Sequence, residues 1–62
     1  MLNVKKLRID MGVTQSHVSS EIGISSRAYR DIENGKASPS LKTITKMEKF
    51  FNKSYYELLL EV

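Results

Sequence analysis

The sequence predicts an all-α protein built from five short helices. Apolar residues recur at spacings of three and four, no stretch alternates with the period of a strand, and short polar connections separate the periodic segments. The 62 residues suffice for one small domain and are too few for a multidomain enzyme. We therefore expect a single domain over residues 1–62, in which residues 54–62 form the last helix. A domain this small buries a modest core and gains stability from a partner subunit.

Glycines mark the ends of the first two helices. The apolar residues that share one face of a helix are Val4, Leu7 and Met11 in the first helix, and Val18 and Ile22 in the second. Gly12 and Gly23 follow these faces, and glycine readily adopts the left-handed conformation that commonly ends a helix. Thr14 precedes the second helix, where its hydroxyl can accept a hydrogen bond from a first-turn N–H group.

Serines mark the starts of the third and fourth helices. Either Ser25 or Ser26 caps the third helix, which ends at Asn34 and Gly35, a strong local stop signal. Ser40 caps the fourth helix. The side chains expected on the buried faces are Ala28, Tyr29 and Ile32 in the third helix, and Leu41, Ile44, Met47 and Phe51 in the fourth.

The last helix is capped at Ser54, and Glu57 three residues later completes a capping box. Its apolar residues fall into an expected core set, Tyr55, Leu58 and Leu59, and an expected exposed set, Tyr56, Leu60 and Val62. This is more apolar surface than a small monomer covers easily, and such patches usually mark contacts. We therefore expect a homodimer that forms through the exposed set of the fifth helix, or a contact between that set and another protein.

The charge of the chain is unevenly distributed. Residues 1–53 carry all ten Lys and Arg side chains and five of the seven Asp and Glu side chains, so the body is basic and the tail is acidic. A basic body suits a polyanion such as DNA, because neutralising phosphates supplies much of the affinity for nucleic acid.

Several classes of function are excluded or disfavoured by composition. The chain has no cysteine and a single histidine, His17, so it offers no disulfide, no thiolate metal site and no obvious zinc centre. It also lacks a glycine-rich phosphate loop and a cluster of carboxylates. We expect neither catalysis, nor a metal, nor a cofactor. No apolar run approaches the roughly 18 residues of a membrane span, and the start lacks a signal-peptide core, so we expect a cytoplasmic protein.

Spaced elements along the chain resemble one known family. They are residues 13–15 (Val-Thr-Gln), 22–25 (Ile-Gly-Ile-Ser), 32–36 (Ile-Glu-Asn-Gly-Lys) and 39–41 (Pro-Ser-Leu). Together they resemble the helix-turn-helix domain shared by phage Cro and repressor proteins and by xenobiotic-response-element-type regulators, over roughly residues 3–60. The resemblance implies a five-helix, lambda-repressor-like DNA-binding domain with its helix-turn-helix at helices 2 and 3. It further implies a dimer that places its third helices in the major groove.

The third helix is the one that the resemblance assigns to base reading. With Ala28 and Ile32 facing the core, the residues directed outward are Ser26, Arg27, Arg30 and Asp31. Arg27 is the first choice for direct readout, because its guanidinium can bind guanine O6 and N7 together. Ser26 can serve several bases. Asp31 can accept from cytosine N4 or, four residues after Arg27, hold that guanidinium in place.

Four residues are expected at phosphates, and two more form a pair. The phosphate contacts implied by the resemblance are Thr14, Gln15, Asn34 and Lys36. Considered singly, Thr14 is better explained as a cap and Asn34 as part of a helix stop, and only their joint occurrence with Gln15 and Lys36 favours DNA contacts. The family also implies an ion pair between Arg8 and Glu33 that ties two helices together. At two positions the chain departs from the family: Ser19 replaces a usual alanine, and Tyr29 replaces a usual Ile or Val, which predicts an aromatic ring at the edge of the core.

These features lead to one expected function and one alternative. We expect a small, stand-alone, dimeric transcriptional regulator that binds a palindromic operator in double-stranded DNA, more in keeping with a repressor than an activator. Such short regulators are encoded by bacteria and their phages. The alternative is an antitoxin, anti-repressor or controller protein that acts mainly through protein contacts of the C-terminal helix.

Overall fold

The computed structural model of the protein describes residues 3–59, with Leu59 described by its backbone alone, and confirms the all-α fold. No strand occurs within residues 3–59. The helices are α1 (Val4–Met11), α2 (Gln15–Ile22), α3 (Ser26–Glu33), α4 (Leu41–Phe51) and α5 (Tyr55–Leu59).

Hydroxyl side chains begin helices α2, α3 and α4, as the sequence predicts. The three caps are Thr14, Ser25 and Ser40, each of which accepts a hydrogen bond from a first-turn N–H group. Ser25 is the cap of α3, because its Oγ accepts the N–H of Ala28 at 3.0 Å, and Ser26 is the first helical residue. Gly23 ends α2 with a φ of 78°, a left-handed conformation that suits glycine. Only three residues therefore separate α2 from α3.

The capping box of α5 is present. The Ser54 N–H donates to Glu57 Oε1 at 3.2 Å, and the Glu57 N–H donates to Ser54 Oγ at 3.3 Å. The first turn of α5 also binds α4, because the Tyr55 N–H donates to Glu48 Oε2 at 2.8 Å. These bonds fix the start of the last helix against the preceding one.

The core lies where α2 packs against both α3 and α4, and α4 against α5. Its buried apolar side chains are Val4, Val18, Ile22, Tyr29, Ile32, Met47, Phe51 and Leu58. The two ends of the described part of the chain meet, because the Asn3 N–H donates to the Leu58 carbonyl at 2.6 Å. The core thus packs against the inner faces of α2 and α3, and the outer face of α3 stays uncovered.

Three apolar residues expected on buried faces are largely exposed. Leu41 is 83% exposed, Met11 47% and Tyr55 44%. Three residues advance an α-helix by about 60° less than a full turn. Leu41 and Met47 are two such steps apart, so the Leu41 side chain points well away from the direction of the buried Met47. Tyr55 and Met11 lie at helix ends, beyond the region that the neighbouring helices cover. The prediction of Tyr55 as a core residue was therefore wrong, whereas Leu58 is fully buried.

Two further properties bear on function. None of the described helices has the length and apolar character that a membrane span needs. Within residues 3–59, no group of three His, Asp or Glu side chains is arranged to hold a metal ion.

Candidate nucleic-acid interface

Helix α3 presents its polar residues on the side away from the core. Tyr29 and Ile32 occupy its buried side. Of the four residues expected to read bases, Ser26, Arg27 and Arg30 are exposed and Asp31 is half-buried. The structure therefore brings all four onto one accessible face of a single helix of eight residues.

Arg27 and Asp31 are not paired. The ion pairs within residues 3–59 do not include one between these two side chains, although they lie four residues apart. The Asp31 carbonyl instead anchors the following loop by accepting the N–H groups of Lys36 at 2.8 Å and Ala37 at 3.2 Å. The guanidinium of Arg27 consequently remains available to an incoming ligand.

The start of α2 offers backbone donors. Thr14 Oγ1 accepts the His17 N–H at 3.0 Å, and the Thr14 carbonyl accepts the Val18 N–H at 3.1 Å. The Gln15 and Ser16 N–H groups precede that first helical hydrogen bond, so the helix itself provides no acceptor for them. The positive end of the helix dipole adds to their attraction for an anion.

The carboxylate of Glu33 binds side chains from two other helices. Arg8 Nε donates to Glu33 Oε2 at 2.7 Å, and Gln15 Nε2 donates to Glu33 Oε1 at 3.0 Å. Arg8 Nη1 also donates to the Val13 carbonyl at 3.0 Å, just ahead of α2. The Glu33 side chain is fully buried and that of Arg8 is 14% exposed. This cluster of Arg8, Gln15 and Glu33, named here the Glu33 cluster, fixes the start of α2 against the end of α3.

The electrostatics of the Glu33 cluster favour the charged pair. Burial by itself raises the pKa of Glu33, but the hydrogen bond and positive charge of Arg8, together with the polar groups of Tyr29 and Gln15 beside the carboxylate, outweigh burial and hold that pKa below its ordinary value. The hydrogen bond to Glu33 raises the pKa of Arg8 in turn. Glu33 is therefore an anion that is held inside the protein by its partners.

Tyr29 lies beside the Glu33 cluster and is fully buried, so the prediction of an aromatic ring at the edge of the core was wrong. Its hydroxyl is close to Glu33 and Arg8, yet no atom of residues 3–59 meets hydrogen-bond geometry with it. Burial raises the pKa of Tyr29 well above its ordinary range. The phenol is therefore neutral, and because Tyr29 is fully buried its hydroxyl does not reach the surface of the domain.

The end of α3 carries the other two expected phosphate contacts. Asn34 is the C-cap of α3, and its N–H donates to the Arg30 carbonyl at 3.0 Å. Asn34 and Lys36 are both exposed. Because Asn34 directly follows Glu33, which holds the Gln15 amide, the structure brings Gln15 and Asn34 to the same edge of the domain.

Two features beside the turn between α2 and α3 were not predicted. Ser19 of α2 and Ser26 of α3 are in contact, with 3.3 Å between their Oγ atoms. Lys46 of α4 also lies beside this turn. A Cβ atom placed on Gly23 would be 3.4 Å from Lys46 Nζ. The spacing of exposed lysines along α4 is a signal that could have pointed to this basic side chain.

The expected dimer surface is described in part. Tyr56 is 74% exposed on α5, and Tyr55 beside it is also exposed. Leu60 and Val62, the other two residues expected there, lie outside the described residues. The described part of α5 thus carries two exposed aromatic side chains.

Comparison with known proteins identifies the family. The family model described as "Helix-turn-helix" matches residues 4–58. One curated relative, the cryptic phage CTXphi transcriptional repressor RstR of Vibrio cholerae, is 32% identical over 56 residues, which cover 90% of this chain and 50% of that protein. Another, the SPbeta prophage-derived uncharacterized HTH-type transcriptional regulator YonR of Bacillus subtilis strain 168, is 37% identical over 51 residues, which cover 82% of this chain and 47% of that protein.

The chain thus spans about half the length of these curated relatives. No solved structure gave a significant match. The family match covers the four outward residues of α3, the start of α2 and the Glu33 cluster. The chain belongs to the helix-turn-helix family, among the Cro and repressor type.

Proposed function

We propose that this protein binds double-stranded DNA in a sequence-specific way and regulates transcription, as a repressor, with α3 in the major groove. Membership of the helix-turn-helix family supports this function, as do two relatives whose names describe transcriptional regulators. Such a regulator acts in the cytoplasm of a bacterium. The observation that carries the proposal is the exposed, polar outer face of α3 next to the start of α2, where the Gln15 and Ser16 N–H groups have no acceptor within the helix.

The base-reading role belongs to the outer face of α3. Arg27 lies near the start of the helix, and its two terminal nitrogens can bind guanine O6 and N7 at once. Arg30, one turn further on, adds a second guanidinium. The half-buried Asp31 repels phosphate, so its presence favours discrimination between bases over affinity.

The phosphate-binding role belongs to the edge that the Glu33 cluster organises. Gln15 uses one N–H of its side-chain amide to bind Glu33, which leaves the second N–H for a phosphate oxygen. The backbone at the start of α2, capped by Thr14, and the exposed side chains of Asn34 and Lys36 complete the set. Contacts of this kind fix the register of α3 on the duplex and carry no sequence information of their own.

The partner in solution is a second copy of the chain. The exposed Tyr56 supports a contact through α5, to which Leu60 and Val62 would contribute. A two-fold dimer of this type places its recognition helices about 34 Å apart, one turn of DNA, on a palindromic operator.

Selection from a pool of random duplexes tests the proposal. The purified protein is incubated with the pool at near-physiological salt, and bound DNA is recovered and sequenced. We expect a two-fold symmetric motif, and the Arg27→Ala variant should lose preference for a guanine in each half-site. Weak retention of all sequences, lost with added salt, would contradict sequence-specific binding.

Lys36→Gln provides the matched comparison, because Lys36 is assigned to a phosphate. This variant should weaken binding to all sequences by a similar factor and leave the motif unchanged. The slope of log affinity against log salt should fall by about 0.9 if one phosphate contact is lost. A change of motif without a change of slope would show that Lys36 reads a base.

A second candidate function rests on the exposed tyrosines of α5. Their uncovered surface also suits a different protein, as in an antitoxin, anti-repressor or controller protein. In that case Arg27→Ala and Lys36→Gln would leave partner binding intact, whereas Tyr56→Ser would abolish it. The two candidates therefore predict opposite responses to Arg27→Ala and Lys36→Gln, which alter binding if the ligand is DNA and leave binding intact if the partner is a protein.

A further inference from the structure

The outer face of α3 is linked to α2 by a pair of serine hydroxyls. Ser19, which is 2% exposed, lies on α2 with its Oγ 3.3 Å from the Oγ of Ser26, the first residue of α3. The Ser19 hydroxyl also donates to the Ser16 carbonyl at 3.0 Å. Ser26 is exposed, so its oxygen stands between a buried partner and the surface that faces the ligand.

The number of protons in this chain of contacts is limited. A serine hydroxyl has one proton to donate and two lone pairs to accept with. The Ser19 proton is committed to the Ser16 carbonyl, which is the nearer acceptor by 0.3 Å (3.0 Å against 3.3 Å). The Ser19–Ser26 contact then requires the Ser26 proton, so Ser26 donates inward to Ser19. The outward-facing part of the Ser26 hydroxyl is then its lone pairs, which can only accept a hydrogen bond.

We propose that Ser19 is a positioning residue that fixes the exposed hydroxyl of Ser26 as a hydrogen-bond acceptor, which makes Ser26 select an amino group of adenine or cytosine. In the major groove these bases present N6–H₂ and N4–H₂ donors, whereas guanine O6 and N7 and thymine O4 are acceptors that need a donor from the protein. An unconstrained serine serves either class of base. The inference rests on the proposed DNA-binding function and assigns a base class to one of its contacts.

Burial makes the orientation at Ser19 persistent. A hydroxyl that is shielded from water has no solvent acceptor to turn toward, so its proton stays on the Ser16 carbonyl. Ser26 has water on its open side when DNA is absent. On a duplex that water is displaced, and the orientation set by Ser19 decides which base edge satisfies Ser26.

Ser19→Ala is the direct test. Alanine fills nearly the same space in the α2–α3 contact and removes the acceptor for the Ser26 proton. Ser26 is then free to donate outward. In selection from random duplexes, the preference for A or C at one position of each half-site should fall by roughly 2- to 10-fold, the range for one hydrogen bond, while the rest of the motif stays.

Two further variants make the test specific. Ser20→Ala is the matched control, since Ser20 is exposed on α2 beside Ser19 and should leave the motif unchanged. Ser26→Ala removes the reading hydroxyl from an exposed site and should abolish the preference at the same position. Circular dichroism confirms that each variant is folded, and a purely structural role for Ser19 would shift overall affinity without changing one base position.

The outcomes separate the inference from the function on which it rests. A motif in which Ser19→Ala and Ser26→Ala change the same base-pair position supports the inference. A motif that Ser19→Ala leaves unchanged overturns it, and so does undiminished binding to a duplex that lacks the exocyclic amino group at the position that Ser26→Ala affects, with purine in place of adenine or 2-pyrimidinone in place of cytosine. If the unmodified protein enriches no motif, the proposed function itself fails and the inference falls with it.

Discussion

At the scale of single residues, the Glu33 carboxylate is the point at which three helices meet. Glu33 belongs to α3 and accepts hydrogen bonds from Arg8 of α1 and Gln15 of α2. Its side chain is fully buried, so loss of Arg8 leaves a charge without compensation in the interior. The same carboxylate sets the direction of the Gln15 amide, which we assign to a phosphate. Under the proposed function, one buried anion therefore serves both stability and the binding of DNA phosphates.

Replacement of Arg8 should be strongly destabilising. We expect Arg8→Met to lower the free energy of unfolding by about 3 kcal/mol, because Glu33 stays buried without its guanidinium partner. Urea denaturation at neutral pH measures this loss. The double variant Arg8→Met with Glu33→Leu should recover most of it, since both charges are gone. A loss below about 1 kcal/mol in the single variant would show that the pair contributes little.

Acid should remove the contribution of Glu33 in a defined direction. Its pKa in the folded protein lies below the ordinary value of 4.5, so near that pH the unfolded chain binds more protons. The stabilisation is complete above the ordinary pKa and is lost as pH falls through the lower pKa of the folded state. Thermal unfolding between pH 7 and pH 3 measures the effect, and Glu33→Gln should lose less stability over this range than the unmodified protein. Equal losses would contradict the assignment.

Some of these contacts can be predicted from the sequence, and others cannot, for a physical reason. The Arg8–Glu33 pair follows from the family resemblance, and the outward side of α3 follows from helical periodicity. The bond between Gln15 and Glu33 does not, because it joins residues 18 positions apart whose distance depends on how α2 and α3 pack. The Ser19–Ser26 contact could not be predicted for the same reason. Periodicity predicts the direction in which a side chain points from its helix, whereas a hydrogen bond between helices also depends on how closely the two helices pack.

At the scale of helices, polar caps and glycines predict the boundaries well. Thr14, Ser25 and Ser40 cap their helices, and the start of each helix depends on a local bond that sequence spacing can reveal. Burial at helix ends is predicted less well, as Leu41 and Tyr55 show. A helical wheel treats every turn alike, although the core covers only the turns that another helix crosses.

The cap of α3 provides a test at this scale. Ser25→Ala should lower the free energy of unfolding by about 1 kcal/mol, because the Ala28 N–H loses its acceptor at the start of α3. Chemical denaturation gives the value. Ser38→Ala, at an exposed loop position, is the control and should change stability by less than about 0.5 kcal/mol. Similar effects of the two substitutions would argue against a capping role for Ser25.

At the scale of the whole molecule, the described residues form a body with dimensions of 24 × 24 × 20 Å and distinct surfaces. One surface carries the exposed polar residues of α3 and the start of α2. Another carries the exposed tyrosines of α5. Under the proposed function, one chain would use the first surface for DNA and the second for another copy of itself, as binding to a two-fold operator requires.

Tyr56 should control association and not folding. We expect Tyr56→Ser to shift the molecule from dimer toward monomer, because it removes the most exposed aromatic side chain described on α5. Its thermal unfolding, extrapolated to low protein concentration, should change little, since the side chain is 74% exposed. Sedimentation equilibrium over a range of concentrations measures the shift. An unmodified protein that stays monomeric at all concentrations would contradict the proposed dimer.

The central claim is that the outer face of α3 and the edge organised by Glu33 contact DNA. Titration of the isotope-labelled protein with its selected duplex, followed by amide NMR shifts, tests this most directly. We predict that the largest shifts cluster at residues 14–16, 26–31 and 34–36, and that exposed positions of α1 change little. Large shifts confined to α1 and α5, with residues 26–31 unaffected, would place the contact elsewhere and contradict the account.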